Sequence, residues 1–109
     1  MTVKTEYGTY EDCVLVLWNY WTDNTLSISI LNATDGAIAT ITKCLNDSSN
    51  AENESFVDTN NCPWALDFIE EYHLGEFTGM HGKSGYCTYP LYRFNMDELR
   101  KYDVSSKGR

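Results

Sequence analysis

Residues 13–21, with the sequence CVLVLWNYW, form a nearly continuous apolar run. A strand with one face in water alternates apolar and polar residues, whereas a run without alternation is typical of a strand buried on both faces. The run therefore predicts a central β-strand. Residues 25–31 alternate instead, with Leu26, Ile28 and Ile30 on one face, and predict a strand that has one face in the core.

The next residues predict an antiparallel meander. Residues 34–36 (TDG) indicate a hairpin turn, because glycine readily adopts positive φ, and residues 37–44 form the returning strand. A further strand is expected at residues 86–94. It lies at a sheet edge or has a bulge at Pro90, since proline has no N–H for the ladder. A short edge strand is expected at residues 3–7.

One amphipathic helix is predicted at about residues 62–73. Asn60 or Asn61 is its candidate N-cap, Pro63 falls in the first turn, and Gly75 follows the last turn. The apolar residues fall on one stripe, as expected for a helix that packs on a sheet. They are Trp64, Ala65, Phe68, Ile69 and Tyr72.

The predicted fold class is α+β, a mostly antiparallel sheet with this helix on one face and a short C-terminal helix. Asn95 is a candidate cap for that second helix, at residues 96–102. The chain has 109 residues, which is the size of one domain. Residues 1–103 are therefore expected to form a single domain, and residues 104–109 a frayed tail.

All of the excess negative charge lies in one third of the sequence. The chain has 16 acids and 8 bases, a net charge of −8, and no Lys or Arg occurs between Cys44 and Gly82. The acids in this segment are Asp47, Glu52, Glu54, Asp58, Asp67, Glu70, Glu71 and Glu76. An acidic surface attracts basic partners and repels nucleic acid and anionic membranes. We predict that these eight residues bind a basic protein partner; the alternative is a solvated face that serves only solubility.

Residues 46–55, which are polar throughout, and the glycine-rich residues 79–85 are predicted to be loops. Residues 82–84 (GKS) resemble the end of a phosphate-binding loop. That motif needs glycine at position 77, which is phenylalanine here, and a helix afterwards, so nucleotide binding is not expected. Residues 47–58 also lack the central glycine and the alternating oxygen ligands of an EF-type calcium loop.

The cysteines and histidines are the remaining candidates for chemistry. Cys62, Cys87, His73 and His81 have no spacing that predicts a zinc site, and no Gly-x-Ser-x-Gly nucleophile motif occurs. We predict no catalytic residue, no metal and no cofactor, and hence a protein that is not an enzyme. A small metalloenzyme is the remote alternative.

Aromatic residues are abundant, with three Trp, eight Tyr and four Phe. Trp21, Tyr89 and Tyr92 are predicted to form an exposed aromatic surface on the strands, because amphipathic aromatics often serve recognition. The alternative is a tyrosine-rich core whose hydroxyls reach water. Stacking on nucleic acid is not expected, since the chain is acidic.

The sequence predicts neither a membrane span nor a signal peptide. No stretch approaches the roughly 20 apolar residues that a span needs, and the first residues, MTVKTEY, lack an apolar core. The expected location is the cytoplasm, where reducing conditions disfavour disulfides.

Several segments resemble one protein family: residues 56–61 (FVDTNN), 68–71 (FIEE), 74–79 (LGEFTG) and 84–94 (SGYCTYPLYRF). They resemble a domain-of-unknown-function family of proteins of about this length. These proteins are encoded on phages, plasmids and conjugative elements of gut and other Gram-positive bacteria. The resemblance begins at residue 25, after the aromatic run, and implies a mobile element in a bacterial host cell. It implies no activity and no catalytic residues.

A mobile-element setting and an acidic, non-catalytic surface together suggest an anti-defence inhibitor. CRISPR and restriction nucleases bind nucleic acid in channels lined with Lys and Arg. A small acidic protein can mimic nucleic acid in such a channel, and electrostatic steering speeds its association. The alternative is an accessory structural or adaptor protein of phage or plasmid biology that binds a protein through exposed Tyr and Trp residues. Neither hypothesis involves direct contact with nucleic acid or membrane.

Overall fold

The computed structural model describes residues 1–19, 25–45 and 53–105. Within these ranges the elements are, in chain order, β1 (Val3–Thr5), β2 (Gly8–Tyr10), β3 (Cys13–Asn19), β4 (Leu26–Asn32), β5 (Gly36–Thr40), β6 (Thr42–Lys43), β7 (Glu54–Val57), α1 (Ala65–Glu71), β8 (Gly75–Ser84), β9 (Cys87–Phe94) and α2 (Met96–Arg100). Paired strands are antiparallel throughout these elements. A mostly antiparallel architecture with two short helices is therefore confirmed, although the fold is mainly β.

The described strands form three sheets. β1 and β2 form a hairpin, β3, β4 and β5 follow one another in a second sheet, and the third sheet has the order β6-β7-β9-β8. The predicted meander is confirmed as the second sheet, and Gly36 has the expected positive φ of 76° in its turn. The strand predicted at residues 86–94 is β9, which lies in the third sheet and not beside the meander. A hairpin replaces the single edge strand predicted at residues 3–7.

β3 is the first strand of its sheet, so the prediction of a central strand is wrong. Leu15 is fully buried, but Trp18 on the opposite face is 62% exposed. The side of β3 away from β4 is covered by the end of the chain. The N–H of Leu15 donates to the carbonyl of Tyr102 at 2.8 Å, and the N–H of Val104 donates to the carbonyl of Leu15 at 2.9 Å. Val104 is thus bonded into the fold, unlike the frayed tail predicted there; residues 106–109 lie outside the described residues.

The second and third sheets meet at Ile41, between β5 and β6. The N–H of Ile41 donates to the carbonyl of Ile28 at 3.0 Å, and the N–H of Ile28 donates to Oγ1 of Thr42 at 3.1 Å. From β7, the buried hydroxyl of Ser55 donates to the carbonyl of Leu26 at 2.7 Å. The core around this junction includes Val3, Leu15, Ile30, Val57, Ala65, Phe68, Ile69, Leu74, Phe94 and Leu99.

Two strands lie where loops were predicted. β7 contains the last two residues of the predicted loop 46–55, and β8 contains most of the glycine-rich residues 79–85. At Gly82 a Cβ would come within 2.6 Å of the Phe56 ring and 2.7 Å of the Leu45 side chain. Glycine is therefore needed there for close packing within a strand, which its sequence signal does not distinguish from a loop. Residues 46–52 lie outside the described residues.

A bulge in β8 lies opposite the strand that contains Pro90. β9 runs between β7 and β8 and is not an edge strand, although its pairing with β7 ends at Leu91, next to Pro90. The bulge predicted at Pro90 is not in β9; it lies in the neighbouring strand β8. Residues 78–80 of β8 oppose the single residue Leu91 of β9. Gly79 has a φ of 90°, and the hydroxyl of Thr78 donates to the carbonyl of Leu91 at 2.8 Å. The bulge thereby reorganises the ladder next to the proline.

Helix α1 begins at Ala65 and is shorter than predicted at both ends. Asn61 is not its cap, because the backbone N–H and side-chain amide of Asn61 donate to the carboxylate of Asp58 at 3.2 and 2.9 Å. Trp64 occupies the N-cap position, and its side chain makes no capping hydrogen bond. At the other end, His73 takes the left-handed conformation with a φ of 55°, and Gly75 already belongs to β8.

The cap predicted for the second helix is confirmed. Oδ1 of Asn95 accepts from the N–H groups of Asp97 and Glu98 at 3.1 and 3.3 Å. In the described part of the chain, neither helix is long and apolar enough to cross a membrane.

We expect Asn95→Ala to lower the free energy of unfolding by about 1 kcal/mol, because the substitution removes the acceptor for these two N–H groups. Urea denaturation followed by circular dichroism measures the change. Asn60→Ala is the matched control, since Asn60 is exposed and precedes α1 without capping it. Equal losses for the two variants would contradict the assignment of the cap.

Candidate functional site

An open groove of about 400 Å³ lies on the face of β8 and β9 that α1 covers only in part. The cross-strand pairs Phe77–Tyr92 and His81–Pro90 place four of its residues on that face. Leu66 from α1 closes one side. The described residues that line this groove are Thr59, Leu66, Phe77, His81, Thr88, Pro90 and Tyr92. We call it the aromatic groove.

The bulge in β8 brings the ring of Phe77 against His81. Residues four apart in a regular strand are separated by about 13 Å. Here the two ring centroids are 5.1 Å apart, in an edge-to-face arrangement, because the bulge takes up residues 78–80. The Phe77 ring also lies 5.8 Å from the Tyr92 ring. Phe77 remains 46% exposed, so the groove presents an aromatic side chain that is positioned by its neighbours but not buried.

Helix α1, which contributes Leu66 to the groove, also carries exposed carboxylates, among them Glu70. Burial and, second, the negative charge of Glu70 raise the pKa of the Tyr92 hydroxyl. Asp67 and Glu71 are also exposed on this helix, and its last turn contains no basic residue. Negative charge therefore lies on the helix next to the groove, although none of the described residues that line the groove is acidic.

A second, polar pocket of about 450 Å³ lies at the beginning of β8, and Glu70 lines this pocket and not the aromatic groove. Arg93 is at this pocket, where its guanidinium is 3.3 Å from the Glu54 carboxylate and 3.8 Å from the Glu76 carboxylate. The cross-strand pairs Glu54–Arg93 and Glu76–Arg93 explain this arrangement, because residues opposite each other on neighbouring strands share a face. Arg93 thus offsets part of the negative charge of both acids.

The eight acids predicted to bind a partner have different environments. Asp58 is only 7% exposed and accepts hydrogen bonds from Asn61, so its assignment to a binding surface is wrong. Glu54 is half-buried and paired with Arg93. Asp47 and Glu52 lie outside the described residues. The exposed members are Asp67, Glu70, Glu71 and Glu76.

The structure also differs from the predicted aromatic surface. Tyr89 is only 4% exposed and packs with Phe56 and Leu91 on the opposite face of the third sheet, so its assignment to an exposed surface is wrong. The Lys43 ammonium lies 5.9 Å from the centroid of the Tyr89 ring. Tyr92 is half-buried and lines the aromatic groove, whereas Trp21 lies outside the described residues.

Sequence reasoning missed Phe77 and His81 because the segment around them was divided between a helix end and a loop. Large apolar residues among glycines, at Phe77 and Met80, were the available signal. Both prove to be exposed on β8. The bulge that brings Phe77 and His81 together depends on pairing with β9, which alternation alone does not reveal.

The remaining groups with possible chemistry among the described residues are metal-binding side chains and cysteine thiols. Within residues 1–19, 25–45 and 53–105, no three of His, Cys, Asp and Glu come together as a metal site. Burial, followed by the negative charges of Asp58 and Glu6, raises the pKa of the Cys62 thiol to about 11. This thiol is therefore protonated at neutral pH and is a poor nucleophile there.

We expect Cys62 to react with iodoacetamide far more slowly than Cys87 in the folded protein at pH 8. With a pKa of about 11, roughly one thousandth of the Cys62 thiol is ionised at that pH, and the residue is buried, whereas Cys87 is half-buried. Peptide mapping by mass spectrometry measures both rates, and the same reaction in urea is the control. Similar rates at the two residues in the folded protein would contradict the environment described for Cys62.

Fold and site together define a small, mainly β domain with an open aromatic groove beside an acidic helix. The chain belongs to a family described as a domain of unknown function, DUF4313, which matches residues 14–107. No curated protein and no solved structure matches the chain. Membership of a domain-of-unknown-function family is thus confirmed, and the match covers all four segments that carried the resemblance.

Proposed function

We propose that this protein is a non-catalytic binding protein that holds a segment of a protein partner in the aromatic groove. The observation that carries the proposal is the ring of Phe77, 46% exposed and oriented by His81 and Tyr92 in an open concave surface. An aromatic side chain that its neighbours already position loses little conformational freedom on binding, and covering it removes apolar area from water. Binding centres of protein interfaces often have this character.

The charge around the groove indicates the chemistry of the partner. Helix α1 contributes Leu66 to the groove and exposes the carboxylates of Asp67, Glu70 and Glu71. A partner segment with an apolar side chain for the groove and a nearby Lys or Arg would match both features. The net charge of −8 would then speed association with such a partner.

Phe77→Ala should weaken binding of the partner by about tenfold or more, because it removes the aromatic surface in the groove. The measurement is quantitative mass spectrometry of bacterial proteins retained by the immobilised protein, followed by titration of the retained partner. Tyr7→Ala is the matched control, since Tyr7 is an exposed aromatic residue outside the groove. If Phe77→Ala, shown to be folded by circular dichroism, binds like the wild type, the groove is not the binding site.

A second candidate function is an anti-defence inhibitor encoded on a phage, plasmid or conjugative element and acting in the cytoplasm of a bacterial host. In this role the protein occupies the basic nucleic-acid channel of a CRISPR or restriction nuclease. The favourable observation is that Asp67, Glu70, Glu71 and Glu76 are exposed. Carboxylates can replace phosphates against Lys and Arg, which would make the interaction sensitive to salt. Pairing of Glu76 with Arg93 weakens this candidate relative to the groove.

The double substitution Glu70→Lys and Glu71→Lys should abolish inhibition of DNA cleavage by a purified target nuclease, because it reverses the charge of the exposed helix face. Glu6→Lys with Glu11→Lys is the matched control: both residues are exposed, lie outside this region, and change the net charge equally. Cleavage assays at low and high salt measure the effect. Inhibition that survives the first double substitution would refute the mimicry of nucleic acid.

A further inference from the structure

The outer face of the second sheet carries apolar residues that the core does not use. Cys13 and Leu15 of β3 point into the core, so the alternate residues Val14, Val16 and Trp18 lie on the opposite face. The cross-strand pairs on this outer face are Val14–Leu31, Val16–Ser29 and Trp18–Ser27, and β5 adds Ala37 and Thr40. We call these eight residues the neutral face.

The neutral face contains no ionisable side chain, although Asp, Glu, Lys and Arg make up 22% of the sequence. Val14, Val16 and Leu31 are half-buried, and Trp18 is 62% exposed. The outward face of an antiparallel sheet is normally polar where it meets water. The apolar run of β3, which predicts burial on both faces, therefore has one face in the core, while the other is half-buried at Val14 and Val16 and exposed at Trp18. Ser27, opposite Trp18 on β4, is only 8% exposed.

We infer that the neutral face is the contact between two copies of this chain. Two copies, each with a net charge of −8, repel one another, and they approach at the least electrostatic cost through a surface that has no carboxylate. A basic partner, in contrast, would find no opposite charge on this face. Interfaces between identical subunits are depleted of charged residues at their centre, as this face is.

A twofold arrangement with antiparallel β3 strands satisfies both the shape and the charge of the face. Trp18 and Val14 are four residues apart, about 13 Å along β3, so Trp18 of each copy would lie over Val14 and Leu31 of the other. Asp12 and Asp35 precede β3 and β5 at the Val14 end. In this arrangement they face the Trp18 end of the second copy and not its Asp12 and Asp35.

The size of the face sets the strength of the contact. Three strands about 4.8 Å apart and about seven residues long cover roughly 14 by 24 Å. Such a patch, about 340 Å² on each copy, is roughly half the lower limit of specific protein interfaces, so the dimer should be weak and should depend on concentration. The contact leaves the aromatic groove open, since none of the groove residues belongs to the neutral face.

Sedimentation equilibrium over a range of protein concentrations tests the inference at low and high salt. We expect a monomer–dimer equilibrium that Val16→Lys and Trp18→Ala each weaken by about tenfold or more. High salt should strengthen the dimer by screening the repulsion between the two chains. Phe77→Ala is the matched control and should dimerise like the wild type, because it changes an exposed aromatic residue in the groove.

Three outcomes would overturn the inference: a monomer at every concentration in both salts, a dimer that high salt weakens, or a dimer that both Val16→Lys and Trp18→Ala leave unchanged. Trp18→Ala keeps the test decisive if Val16→Lys unfolds, since Trp18 is mostly exposed and its truncation leaves no buried cavity. The inference does not depend on the proposed function. Loss of the dimer with Val16→Lys and loss of a partner with Phe77→Ala are separate results.

Discussion

The described fold depends on the hydrogen bonds between β4 and the chain around Ile41. Ile28 accepts from the N–H of Ile41 and donates to the hydroxyl of Thr42, while Leu26 accepts from the buried hydroxyl of Ser55. These bonds satisfy polar groups at the place where the second and third sheets join, so that both sheets can share one apolar core. Because the sheets join at this place, β9 and β8 lie at the far side of the third sheet. The surface of these two strands that stays uncovered becomes the aromatic groove.

Predictions from short sequence motifs were correct where the structural feature depends only on residues close in sequence. The cap at Asn95 and the turn at Gly36 were predicted because each depends on a few neighbouring residues. The glycines of β8 misled the prediction, since Gly82 is required by the Phe56 ring from another strand. The run that contains Trp18 was identified as unusual, but its position at one side of a sheet depends on pairing between distant residues.

Prediction of the candidate site was limited in the same way, because contacts between distant residues decide which side chains are exposed. Composition located the acidic third of the chain, yet it could not separate Glu70, which is exposed on α1, from Asp58, whose carboxylate is occupied by Asn61. The tyrosines of β9 also divide: alternation along the strand sends Tyr89 to one face of the sheet, with Phe56, and allows Tyr92 to line the groove on the other. Which face of β9 is buried depends on its packing with β4, β7 and α1, and no single segment of the sequence contains that information.

The bulge at residues 78–80 has a consequence for how the surface near the aromatic groove could diversify. Thr78 ties this insertion to Leu91, and Met80 within it is 64% exposed. Because the ladder resumes on both sides of the insertion, a substitution at the exposed Met80 need not shift the strand pairs that define the groove. Gly79, with its φ of 90°, and Thr78 are held by the geometry of the bulge. One exposed side chain beside the groove can thus change while the interior stays the same.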